Sequence, residues 1–338
     1  MSPELAAAGV ALAAVMLYAM FGGADFGGGI WSLLAWGPRK QEQRLALEKA
    51  IGPVWETNHV WLILLVVTLF VVFPTAYAVI FEALYVPLFI ALLGIVARGA
   101  AFAFRHYGQR ESRLARQSLQ WFSWASVADA VHLRAGDRCG NGRAHRGGGV
   151  DGWSPGPFTG WLGPFALMCG LIGLLICAFL AAAYMVPRTE GALQEDFRRR
   201  AIAASLALGV ATTVAIPVAA ADADAFASHL DDGRVVAAMA VTALLGLAAL
   251  WALWTRRARL APPLAAATVA GVVGAWGLAQ HPYLLANALT YREAAAERIT
   301  VVSFLVALPI GSLILVPSLW LLYWTFSRET LRGEEIAH

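Results

Sequence analysis

Asp25, Glu56, Asn58, His59 and Arg98 are ionisable or amide side chains set in segments otherwise apolar enough to cross a bilayer. A charge at bilayer depth costs at least ~2.5 to 3.5 kcal/mol, so such residues face a protein interior and commonly serve ion or proton movement. Glu56 and His59 are three residues apart and share a helix face. A carboxylate beside an imidazole can pass protons, because both groups can be brought to exchange near neutrality. Glycines at 22, 23, 27, 28 and 29 surround Asp25 and strip away side-chain bulk, which permits close helix approach.

Plainer roles compete with the relay. Asp25 could cap a glycine-rich helix end, and an Arg98 bridge to Asp25 or Glu56 could hold helices together, since breaking a buried pair strands a charge. Trp55 and Trp61 read as interface anchors. That reading explains the tryptophans better than it explains Glu56 and His59. Arg98 lies seven residues before Arg105 and Glu56 seven beyond Lys49, so the two are expected within about one turn of the same depth, with Asp25 joining them.

The elements that must position these groups are transmembrane helices. The chain of 338 residues is 59% hydrophobic and 14% charged, with a mean hydropathy of +0.64. A soluble globule runs nearer about 45 to 50% apolar. Apolar runs predict eight helices, at 5–25, 51–73, 77–104, 161–186, 201–219, 235–254, 262–280 and 300–326. The first is read as a retained anchor, because no basic start and cleavage pattern precedes it. Pro74 is expected to make a tight turn, and Pro217, Pro309 and Pro317 to end or kink helices. His229 and His281 fall in loops, where solvation is the simpler role. Three cysteines, Cys139, Cys169 and Cys177, form no CxxC pair and support neither a disulfide framework nor a zinc site.

Seventeen Lys and Arg residues fall at 39–49, 105–116, 188–200, 256–259 and in the tail, which marks those stretches as cytoplasmic. The intervening loops carry Arg234, Arg292 and Arg298 only, so the N-terminus is expected outside and the C-terminus inside. Parity then demands a ninth crossing between about 117 and 160. The segment there contains Arg134, Arg138, Arg143, Arg146, three aspartates and two histidines, a composition no bilayer accepts. A reading-frame slip in the gene accounts for it better than a polar loop with a compensating re-entrant piece. The organisation read is one transmembrane domain over 1–338, with N-terminal bundle helices in 1–127, the anomalous segment at 128–156 and C-terminal bundle helices in 157–338.

The motifs GGADFGGGIW, IGPVWETNHVWLI, FPTAY and LGIVARGAAFAFR, in that order, resemble the N-terminal half of subunit II of the cytochrome bd-type quinol oxidases. ALTYREAAAERITV followed by LPIGSLILVPSLWLLYWTF is similar to the same subunit. The resemblance implies an all-α polytopic fold of nine helices, two four-helix bundles and a peripheral helix. It further implies a heterodimer with subunit I, which carries two b-type haems and one d-type haem and oxidises quinol. A small accessory subunit, bound lipid and quinone belong to the same expectation, as does a bacterial inner-membrane location.

Carried over by resemblance, Asp25 and Glu56 match acidic positions linked to proton uptake from the cytoplasm, and Asn58, Trp61 and Arg98 match positions in the same motifs. His59 stands where Gln is frequent, and acids found in some members are replaced here by Gly22 and Ala103. The alternatives are a secondary transporter with a buried ionisable site, and a scaffold subunit in which the polar cluster only fixes helices.

Overall fold

The computed structural model describes residues 2–51, 55–107, 163–285 and 289–335. The anomalous segment 128–156 and Cys139 lie outside the described residues. The described chain is almost wholly helical, with one two-stranded antiparallel pair, β1 (Tyr283–Leu285) and β2 (Leu289–Thr290). Six described helices are long and apolar enough to cross a membrane, or seven if one bent pair counts as a span.

Helix α1 (Pro3–Leu33) is central, packing on α3 (Trp55–Val72), α6 (Pro164–Met185) and α10 (Ala261–Gln280). Around them stand α7 (Gly191–Asp222), followed by the short α8 (Asp224–Ala227), and α9 (Gly233–Trp254), while α12 (Arg298–Glu335) exposes most of its apolar surface over Arg298–Leu321. One apolar core runs through α1, α6, α7, α9 and α10 and includes Phe26, Phe179, Leu180, Phe197 and Leu253. A second core closes the opposite end. There Val72, Phe73 and Val79 meet Leu285, Leu289 and Tyr291, where the short helix α11 (Tyr291–Ala294) follows the strand pair.

Several expected boundaries moved, each for a local reason. The glycine motif does not end the first helix, which continues to Leu33, so Asp25 is an interior residue and not a cap. The stretch 39–49, read as basic loop, falls almost wholly in α2 (Lys40–Ile51). Good helix formers fill it, and Gln43 and Leu47, four apart, both bury against the bundle.

The single helix expected at 77–104 is two, α4 (Pro74–Ala83) and α5 (Tyr85–Tyr107). Pro87 has no N–H to offer the Ala83 carbonyl, so it fits only the first turn of a new helix. At Pro74 the chain bends by 119° between α3 and α4, the tight turn expected there. Helix α7 begins ten residues before the expected start, its first turns carried by Leu193, Phe197 and Ala201 facing the core and by the Glu195–Arg198 pair. Pro217, Pro309 and Pro317 all lie inside continuing helices and end none of them.

Candidate functional site

The polar cluster is built where α3 crosses α1. Asn58 Nδ2 donates to Asp25 Oδ2 at 2.6 Å, with both side chains buried. One residue on, the His59 ring meets the Tyr18 ring edge-on at 6.1 Å, and Tyr18 in turn meets Phe26 at 6.2 Å. Trp61 stacks on Phe21 at 6.4 Å and packs against the core. Asn58, His59 and Trp61 therefore all face the stretch of α1 between Tyr18 and Phe26. Glu56 and Arg98 are placed on α3 and α5, and their side chains lie outside the described residues.

Glycine explains how α1 comes so close to α6. A Cβ on Gly27 would collide with the Cys177 carbonyl, and one on Gly23 would meet Leu180 and Cys177 at 3.5 and 3.7 Å. Trp31, one turn further, donates its Nε1–H to the Ala178 carbonyl at 2.7 Å. Asp25 is thus carried on a helix whose depth and rotation are fixed by its other side.

A second polar group, missed in the sequence, ties the ends of α1, α2 and α7 together. Arg39 donates from Nε and Nη2 to the Asp196 carboxylate at 2.9 and 2.7 Å, and Gln43 Nε2 donates to Asp196 Oδ2 at 2.9 Å. The Arg39 guanidinium and the Gln43 amide hold the Asp196 carboxylate fixed, so the α2 face is bound to the first turns of α7. Arg200, 9% exposed, donates from Nη2 to Gln43 Oε1 at 2.7 Å and lies over the Trp31 ring at 5.2 Å. The one available signal was the burial spacing of Gln43 and Leu47 in a stretch read only for its charge. Asp222, one of the acidic residues after the 201–219 run, also has a partner the sequence does not reveal: its carboxylate accepts from the Phe165 N–H at 3.0 Å and so caps the start of α6.

Among the described residues no three His, Cys, Asp or Glu side chains gather as a metal-binding set. Three histidines each meet an aromatic ring: His59 meets Tyr18, His229 meets Tyr283 and His281 meets Tyr291.

The model of the family described as cytochrome bd terminal oxidase subunit II matches residues 3–326. This chain belongs to that family. It is an integral membrane protein, and membership decides against the transporter reading. Cytochrome bd ubiquinol oxidase subunit 2 of Bacillus subtilis (strain 168) is 39% identical over 83 residues, 25% of this chain and 24% of that protein. Cytochrome bd-I ubiquinol oxidase subunit 2 of Escherichia coli (strain K12) is 29% identical over 195 residues, 56% of this chain and 50% of that protein. The chain thus aligns with half or less of the length of these curated relatives. In fold it is similar to a chain of the bd oxidase from Geobacillus thermodenitrificans, with a TM-score of 0.78 at 21% identity, covering 96% of this chain and 99% of that one.

Proposed function

We propose that this chain serves as subunit II of a quinol:oxygen oxidoreductase, scaffolding a subunit I and lending it a proton uptake route from the cytoplasm. Family membership supports the assembly, and the buried Asn58–Asp25 hydrogen bond, beside His59, carries the proton reading. Asp25, Glu56 and His59 are the proton carriers in this reading, with Asn58, Trp61 and Arg98 as structural partners. Asn58 fixes the Asp25 carboxylate between α1 and α3, and the ring contact with Tyr18 holds His59 one residue away from that bond. The N-terminus lies outside and the C-terminus in the cytoplasm, a placement supported by the alternation of basic loops.

The partner subunit holds two b-type haems and one d-type haem, which supply the oxygen chemistry when bound. A small accessory subunit, membrane lipid and quinone complete the expected complex. Protons taken from the cytoplasm and quinol protons released outside make the reaction electrogenic without a pump.

The test is Glu56→Gln in the assembled complex. Oxygen consumption should fall roughly tenfold or more, while haem absorbance, which reports assembly, stays unchanged. Unaltered turnover removes the proton role and leaves a scaffold.

A further inference from the structure

A cavity of about 320 Å³ opens between the first turns of α7 and the turn joining α9 to α10, with Gln194, Glu195, Arg198 and Arg256 in its walls. Its charges are unbalanced. Arg198 gives Nε and Nη2 to the Glu195 carboxylate at 2.8 and 2.7 Å and its third nitrogen to the Leu253 carbonyl at 3.0 Å, so it is consumed within the protein. Arg199 also reaches Glu195, at 3.1 Å, and Arg256 approaches it only to 3.7 Å; both side chains are 75% exposed. One carboxylate thus faces three guanidinium groups, and Arg257 and Arg259 follow on the same exposed turn.

Arg256 is in a position where its side chain is unusual. The Arg257 N–H returns to the Ala252 carbonyl at 2.8 Å and the Arg256 N–H to the Leu253 carbonyl at 3.3 Å, which is the Schellman ending of a helix. Its C′ residue is ordinarily glycine, because φ is positive there, and Arg256 adopts φ 57°. Backbone held this way at a non-glycine residue points to a use for the side chain.

The cavity also lies at a definite depth. Trp251 and Trp254, both exposed on the last turns of α9, mark the membrane interface, and Arg257 stands 4.7 Å over the Trp251 ring. Below them Leu244 and Leu247 continue one exposed apolar stripe down the same helix. A basic pocket at the same end of α9 as the tryptophans of this exposed apolar stripe matches a charged headgroup joined to acyl chains.

We propose that this pocket binds the phosphate of an anionic phospholipid, with Arg256, which lines it, and Arg199, paired beside it with the wall residue Glu195, as its charged contacts and the acyl chains lying along α9. A soluble phosphate shares the headgroup chemistry but makes no use of the stripe. The test uses the purified complete complex, stripped of lipid in detergent, with native mass spectrometry reading the binding of short-chain phosphatidylglycerol, short-chain phosphatidylcholine and inorganic phosphate. Phosphatidylglycerol should bind more tightly than the other two. Arg256→Asn, which tolerates positive φ and keeps the turn, should weaken it roughly tenfold, as losing a charge-assisted contact does. Arg199→Gln, on an exposed helix surface, should weaken it as well and gives an independent reading should the turn reject Asn. Equal binding of phosphatidylcholine, saturation by inorganic phosphate at the same concentration, or unchanged phosphatidylglycerol binding in both variants overturns the proposal.

Discussion

Asn58 and Asp25, thirty-three residues apart, meet through a 2.6 Å hydrogen bond that joins α3 to α1. An acidic group at this depth is stable only with such partners. Replacing Asn58 by Leu removes a buried donor from the Asp25 carboxylate and should cost about 1 to 3 kcal/mol. A lower melting temperature of the complex, with slower oxygen consumption if Asp25 carries protons, is the expected result. A variant as stable and as active as the parent would show that the bond has no consequence.

Gly27 lies against the Cys177 carbonyl with no room for a methyl group. Gly27→Ala must push α1 and α6 apart and disturb the packing around Phe26 and Leu180. Overpacking of this kind costs typically about 1 to 3 kcal/mol. The yield of assembled, haem-containing complex should fall. Gly9→Ala, at a position with open space around it, should leave the yield unchanged and serves as the control.

Gln43 accepts from Arg200 and donates to Asp196, so it links two charged groups that do not otherwise hydrogen-bond each other. Gln43→Leu keeps the bulk but leaves the buried Arg200 Nη2 without its acceptor. Destabilisation of about 1 to 3 kcal/mol is expected. Faster hydrogen exchange in α2 than in α6 would locate the loss; uniform exchange across both helices would contradict the linking role.

Glu293 closes a capping box with Thr290, whose backbone N–H and hydroxyl both donate to its carboxylate. Those bonds, the backbone one foremost, hold its pKa below the usual carboxylate range. A lowered folded-state pKa contributes stability that is present above the unfolded-state value and is lost as pH falls through the folded one. Glu293→Gln should therefore reduce the melting temperature at neutral pH and converge with the parent in acid. Parallel melting curves at every pH would show that the box carries no linkage.

The sequence by itself determined the membrane character and most of the spans, laid out the alternation of basic and poorly basic loops, and singled out the glycine-rich motif around Asp25. Hydropathy, charge and glycine spacing are local properties, read over a single helix length, and they remain visible whatever the helices pack against. Tertiary structure decided who meets whom. Asp25 finds Asn58, Gln43 and Arg39 find Asp196 more than 150 residues away, and Gly27 is needed because the backbone at Cys177 occupies the space beside it. Such pairings depend on the rotation and depth of helices distant in sequence. No periodicity within one segment encodes them, and for that reason a stretch that looked like a basic loop became the helix that locks α1 to α7.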